Sequence, residues 1–476
     1  MKKLEETVLW LRRHRIRFED RWIGTLLVAG TAALVYWKTA AFFVGWLPPL
    51  IASAVCASGV GMAWHLLTRL PSCGKDKVGL VLAIQAESDA DQLRVRKDFV
   101  GAVRDALRGS TGILEFQVLE VPRMRIPEVF NEECGRDLLL GCGATVLFWG
   151  SVQQRRHNGE DHYVIRLEGG LKHPAIPKER SATLAREVRA AVPSKIVFPV
   201  TEELRGFEST STNVVFGARY IAALANVIAK QNDLALNLLG RLLVDLGGPR
   251  RRTRASKVKP NKDIQGWLRN AVQLRLAALH LEEYRRLSTE WLADKANMRL
   301  LEQSAEHLES YIDVVGREAA EREPNFLLGR AMTEVALREN WRAAIHWIDR
   351  CRQIAPQDAG AVFSRAFLSV LQGKPEDALR QYETALRRQQ VDFYVNQIEE
   401  FVHWWYETKE KLPALLLLSA LLNAKGKPDH QLALEDLRRF ELTIGPNTPA
   451  QLVVRAAKLR QQLEKAPRPA RFEAVA

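Results

Sequence analysis

Residues 325–358 read NFLLGRAMTEVALRENWRAAIHWIDRCRQIAPQD, and residues 359–392 read AGAVFSRAFLSVLQGKPEDALRQYETALRRQQVD. Each segment has 34 residues, and the two match one period apart at Ala344 and Ala378, Ile348 and Tyr382, and Cys351 and Ala385. Apolar residues recur at helical spacing in both, so each segment predicts a pair of helices. Small residues at matched places let the two helices of a pair approach closely, while larger ones fill the groove to the next pair. A unit of this kind cannot bury its apolar face alone. Self-similarity at this period therefore implies a stacked array of at least three units.

The pattern of a small residue, an aliphatic or aromatic residue four later and a small residue three later resembles the tetratricopeptide repeat. Pro356 falls where that family ends its second helix. The family's Trp and Gly-Tyr positions in the first helix are replaced here by Leu328, Met332 and Val335, then by Val362, Ala366 and Ser369. An earlier unit is read at 217–246, with Ala235 in the small-residue place. Another begins at Gly426, where GKPDHQLALEDLRRF echoes the GKPEDALRQY of 373–382. Amphipathic helices are expected at 265–283 and 297–315, giving roughly four to six units over 201–460. The resemblance implies an α-solenoid whose concave face binds a protein partner, with no catalytic residues.

Working toward the N-terminus, the pattern changes between 76 and 200. The run VGLVLAIQA at 78–86 is short, apolar and bounded by charges, so it predicts a buried strand. Leu93, Val100, Val103 and Leu107 follow at helical spacing. Strands are then expected at 113–121 and 145–152, with a helix between 127 and 140. Tyr163, Ile165 and Leu167 alternate in a fourth strand, reached through Asn158-Gly159, a strong hairpin signal. Alternating strand and helix predicts a sheet covered by helices. The order of helix, strand ending in Gly150-Ser151-Val152, turn and alternating strand resembles the TolB-type N-terminal α/β domain. That resemblance implies an interaction module and supplies no catalytic residues.

Before this segment, Trp22 to Leu67 holds no Asp or Glu and one Lys, Lys38. A bilayer crossing needs roughly 20 apolar helical residues. The stretch has room for two, with Pro48-Pro49 as the break, and so predicts a transmembrane hairpin over 22–68. Basic residues before it (Lys2, Lys3, Arg12, Arg13, Arg15, Arg17, Arg21) and after it (Arg69, Lys75, Lys77) predict that both termini face the cytoplasm. The segment 1–21 reads as a basic amphipathic helix, and 461–476 as a flexible tail. Gly24, Gly30, Gly59 and Gly61 would permit close helix packing, and with it a homo-oligomer.

The chemistry-bearing patterns are sparse. No GxGxxG, phosphate-binding loop, GxSxG or HExxH occurs. His157, Glu160, Asp161 and His162 crowd a hairpin tip, where solvation explains them more cheaply than a metal. The five cysteines form no CxxC and read as free thiols. Net charge is +13. It favours an anionic membrane surface over nucleic acid, because basic residues flank the apolar stretch. Arg250, Arg251, Arg252, Arg254, Lys257 and Lys259 fill a loop without aromatics, expected to meet an anionic surface rather than stack on bases. Phe401, Trp404, Trp405 and Tyr406 cluster on one helix, for which core packing is favoured over an exposed patch.

Together these readings predict a membrane-anchored chain of mixed α/β and all-α class. It comprises an N-terminal transmembrane helical hairpin, a small α/β sheet domain and a tetratricopeptide-like α-solenoid. The expected function is a non-enzymatic scaffold at the inner membrane, without cofactor or metal, that presents a cytoplasmic surface to a protein partner. The rival expectation is a signal-gated effector in which the α/β domain senses a small ligand and the hairpin permeabilises the bilayer.

Overall fold

The computed structural model describes residues 69–74, 77–108, 115–122, 126, 132–157, 160–172, 178–192, 195–247, 262–388, 393–426 and 429–465, with isolated positions 30, 55, 57–59, 61 and 62. The chain divides into two compact units, Met1–Arg269 and Asn270–Ala476.

The first unit is built on a five-stranded sheet of order β2-β1-β3-β4-β5. Its strands are β1 Val78–Ala86, β2 Phe116–Glu120, β3 Val146–His157, β4 Glu160–Leu171 and β5 Lys195–Pro199. β1 runs parallel to both β2 and β3, whereas β4 is antiparallel to β3 and β5. The mixed pairing follows from the connections. Helical crossovers return the chain parallel, and the two-residue connection between the paired His157 and Glu160 reverses it. Gly150 stands at the closest approach of β3 and β4, where a Cβ would lie 1.8 Å from the Arg166 carbonyl oxygen. The strand could carry no side chain there.

Helices cover both faces, which is why β1 is an almost unbroken apolar run. On one face α3 (Glu132–Cys142) packs Leu138 and Leu139 against Val81, Leu119, Leu147 and Trp149. On the other lie α1 (Asp89–Arg94), the π-helical turn Val95–Val100, α2 (Gly101–Arg108) and α5 (Glu203–Ile228). Phe207 of α5 meets Phe99, Tyr163 and Phe198 at ring distances of 6.4, 5.6 and 5.4 Å. The neighbouring Gly206 leaves space for the Phe198 ring, which a Cβ would approach to 2.2 Å. α4 (Lys178–Ala191) and α6 (Asn232–Gly247) complete the unit. The segment 217–246, read from sequence as a repeat, thus belongs to the same unit as the sheet.

The second unit is helical. α7 (Lys262–Ala293) leads into it, followed by α8 (Met298–Val315), α9 (Arg317–Ala320), α10 (Pro324–Arg338), α11 (Trp341–Ile354), α12 (Ala359–Leu371) and α13 (Pro375–Arg388). α14 (Phe393–Thr408), α15 (Pro413–Lys425), α16 (His430–Leu442) and α17 (Ala450–Lys465) complete it. α10 pairs with α11, α12 with α13, and α15 with α16. Local sequence sets several of the boundaries. Asn340, Asp358 and Asp429 cap α11, α12 and α16 through their side-chain oxygens. The turn after α12 uses Gly373 at φ 72°, and the matching residue of the preceding pair, Glu339, holds φ 52°. Ala344, Ile348, Cys351, Ala378, Tyr382 and Ala385 are all fully or almost fully buried. α15 is buried from Ala414 to Asn423, as an apolar helix must be, while α17 buries only Leu452, Ala456, Leu459 and Leu463 and turns a polar face outward.

One expectation is corrected. Among the described residues no helix is long and apolar enough to cross a membrane. The longest, α7, carries charge along its length, and α5 has polar residues throughout its first half. The structure therefore supports a small mixed sheet with many helices, not a membrane-anchored fold with a transmembrane hairpin. The multi-pass inner-membrane placement with both termini cytoplasmic is withdrawn with it. A bilayer crossing requires about 20 consecutive apolar helical residues, and no described helix meets that requirement. Residues 22–68 lie outside the described residues except at the isolated positions named above, and 1–21 lie wholly outside.

The register of the paired hairpins can be read in stability. Ala378→Trp should overpack the α12–α13 contact and cost roughly 1–3 kcal/mol. Arg380→Ser, on the exposed face beside Asp377, should cost about 0.5 kcal/mol or less. Tyr382→Phe should be neutral or stabilising by up to about 1 kcal/mol, because its buried hydroxyl has no hydrogen-bond partner among the described residues. Urea unfolding of the three variants checks the order.

Candidate functional site

The helical unit has a half-open hollow of about 320 Å³ between α7, α10, α12 and α14. Its lining draws on residues far apart in sequence, from Tyr284 on α7 to Val402 on α14, and aromatic packing beside it joins the same two helices. Trp291 at the end of α7 is fully buried, and its ring lies 4.9 Å from Trp404 and 6.2 Å from Phe401 on α14. Beside them Gln397 Nε2 donates to Thr289 Oγ1 at 3.1 Å, joining positions 108 residues apart. In a simple stacked array each unit touches only its neighbours. Here α14 reaches back to α7, so what would be an open groove is bounded on a further side.

Buried apolar groups form the inner wall, among them Ala331, Val335, Phe363, Leu368 and Val402. Polar groups lie where the hollow meets solvent: Arg285 and Thr289 are exposed, and Asn325, Ser364 and Gln397 are half-buried. Gly329 makes the α7–α10 side possible, since a Cβ there would lie 2.6 Å from the Tyr284 ring. Burial pushes the Tyr284 phenol well above its ordinary range. It serves as wall, not as an acid or base.

A second polar assembly joins α14, α15 and α16. Asn423 Nδ2 donates to Glu399 Oε1 at 2.9 Å and to Asp436 Oδ2 at 3.2 Å. His403 Nε2 lies 2.8 Å from Ser419 Oγ, 3.5 Å from Asp436 Oδ1 and 3.9 Å from Glu399 Oε1. A serine, a histidine and an aspartate thus meet, but the hydroxyl and the carboxylates all face the same ring nitrogen. Proton relay in a nucleophilic triad needs them on opposite nitrogens. Ser419 is also fully buried, beyond reach of a substrate. The hydrogen bond with Asp436 raises the His403 pKa above its ordinary value, against the opposing effect of burial. The assembly holds three helices together.

In the first unit, the carboxyl end of β1 is occupied by the protein's own side chains. Gln92 accepts from the Ala86 amide at 2.8 Å and donates to the Ile84 carbonyl at 3.0 Å. The Tyr163 hydroxyl donates to Asp91 Oδ1 at 3.2 Å and accepts from Arg94, which also lies 3.5 Å from Glu203. The region near 87–91, where an open α/β sheet would place a ligand, carries this network instead. Among the described residues no group of three or more His, Cys, Asp or Glu is placed to hold a metal. Cys351 is buried and its thiol is pushed up to about 12 by that burial, so it is a poor nucleophile.

The basic loop with Arg250, Arg251, Arg252, Arg254, Lys257 and Lys259 lies outside the described residues. Trp404, Trp405 and Tyr406 are buried, and Phe401 is half-buried against the hollow. The repeat pattern did not point to the hollow's walls or to the polar assembly, although local signals existed. Ser419 and Asn423 are the polar residues of the run PALLLLSALLN and stand four apart on one helix face, as Glu399 and His403 do on α14. Trp291 gave no such signal, because its partner arises from closure of the array. No protein-family model matches this chain, and no curated protein matches it.

Two histidines give opposite pH responses. His280 Nδ1 stands 3.0 Å from His307 Nδ1; burial first, then His307, hold its pKa down to about 4, with Asp313 opposing. The unfolded chain takes up this proton below pH 6.5 and the folded chain does not until about 4, so stability should fall over that window. His280→Leu should lessen the fall. His403 has a raised folded pKa, so its contribution is complete below 6.5 and is lost as pH climbs through the folded value. The stability gap between wild type and His403→Gln should therefore narrow above pH 6.5. Urea midpoints from pH 4 to 9 measure both.

Proposed function

We propose that this chain is a non-enzymatic scaffold that holds a protein partner on the exposed faces of its helical unit. The observation that carries the reading is the equivalence of two hairpins. α10–α11 and α12–α13 bury Ala344 and Ala378, Ile348 and Tyr382, and Cys351 and Ala385 at matched places. They also turn at the matched positive-φ residues Glu339 and Gly373. Helix pairs stacked in this way offer extended faces for a partner without needing reactive groups. The tetratricopeptide resemblance supports the same reading. The fully buried Ser419, and the meeting of hydroxyl and carboxylates on one nitrogen of His403, argue against a hydrolase. The membrane effector is not carried forward, since it required the transmembrane hairpin.

The test is cross-linking mass spectrometry on complexes captured with the full chain. Partner cross-links should fall on exposed positions between 324 and 465. Links confined to 77–199, or the absence of any captured partner, would overturn the proposal.

A further inference from the structure

We propose that the hollow between α7, α10, α12 and α14 is a binding site for a small amphipathic carboxylate, its apolar body inside and its head group at Arg285 and Thr289. This goes beyond the scaffold reading, which concerns the outer faces of the hairpins, and either can fail without the other.

The hollow has the size and character of a ligand site. At about 320 Å³ it lies at the small end of the range of ligand pockets, roughly 300–1,000 Å³. Protein interiors leave few voids larger than a water molecule, because unpaired walls lose dispersion contacts. A space bordered by Phe363, Phe367, Met332 and Val402 would regain those contacts from an apolar occupant. It is bounded by the Gln397–Thr289 hydrogen bond, which leaves it better suited to a small molecule than to an extended peptide.

The head group is read from charge. Among the described residues Arg285 is the only charged one lining the hollow, and no carboxylate among them pairs with its guanidinium. Thr289 stands four residues later on α7, hence on the same face. Its oxygen accepts from Gln397, which leaves the hydroxyl proton to donate toward a ligand. Asn325 Nδ2 is already committed to Glu323, and the Ser288 hydroxyl to the Arg285 carbonyl. The donors at the mouth thus include a guanidinium and a hydroxyl one helical turn apart. That pair suits a carboxylate, with which arginine forms charge-assisted hydrogen bonds.

Isothermal titration of the full chain with decanoate, and with decanamide as the uncharged comparator, tests this. Saturable binding at one equivalent is expected, with decanoate the tighter ligand. Arg285→Gln, a change at an exposed residue, should weaken decanoate about tenfold and leave decanamide unchanged. Ser364→Phe, which fills the hollow from a half-buried position, should abolish both, with circular dichroism confirming the fold. Absence of saturable decanoate binding would overturn the site, as would binding that survives Ser364→Phe. Equal decanoate affinity in wild type and Arg285→Gln would overturn the carboxylate assignment.

Discussion

The helical unit depends on the wedge of Trp291 against Phe401 and Trp404. Each hairpin along the array is stabilised by its neighbours, and contacts of that kind are local in sequence. The Trp291 contact is not, since it joins the end of α7 to the middle of α14 across more than 100 positions. Its loop-closure entropy is recovered by burying large aromatic surfaces whose edge-to-face pairing adds about 0.5–1.5 kcal/mol beyond area. Closure has two consequences. The inner faces of α10 and α12 are brought around a hollow, and α14 is fixed in position to carry the polar assembly of Glu399 and His403.

That assembly explains why α15 can be so apolar without slipping. A helix reading ALLLLSALLN could rotate or slide among apolar neighbours at little cost. Ser419 and Asn423 meet complementary groups only in one register, where Asn423 bridges Glu399 and Asp436. Leaving two buried carboxylates without these partners would be expensive, so the alternatives are disfavoured more strongly than the native register is favoured. A single histidine between the carboxylates ties this joint to pH.

The sheet of the first unit was legible because its signals are local. The apolar run at 78–86 is β1 as observed, and Asn158-Gly159 does separate paired antiparallel strands. The fifth strand and α4 carried weaker alternation and were not resolved. In the helical unit the 34-residue period spans two helix pairs, in which Ala344 and Ala378 are buried. What the period could not reveal was any contact outside the period: Trp291 of α7 with Trp404, Thr289 with Gln397, Asp436 with His403. The apolar stretch 22–67 lies outside the described residues except at isolated positions, and among the described residues no helix is long and apolar enough to cross a membrane.

Closure of the array by Trp291 is the claim on which the hollow and its ligand rest. A double-mutant cycle on the full chain measures it most directly, with Trp291→Leu, Trp404→Leu and the double variant followed by urea unfolding. Closure predicts a coupling energy of about 0.5–1.5 kcal/mol between the two substitutions. Additive losses, with no coupling outside error, would contradict it.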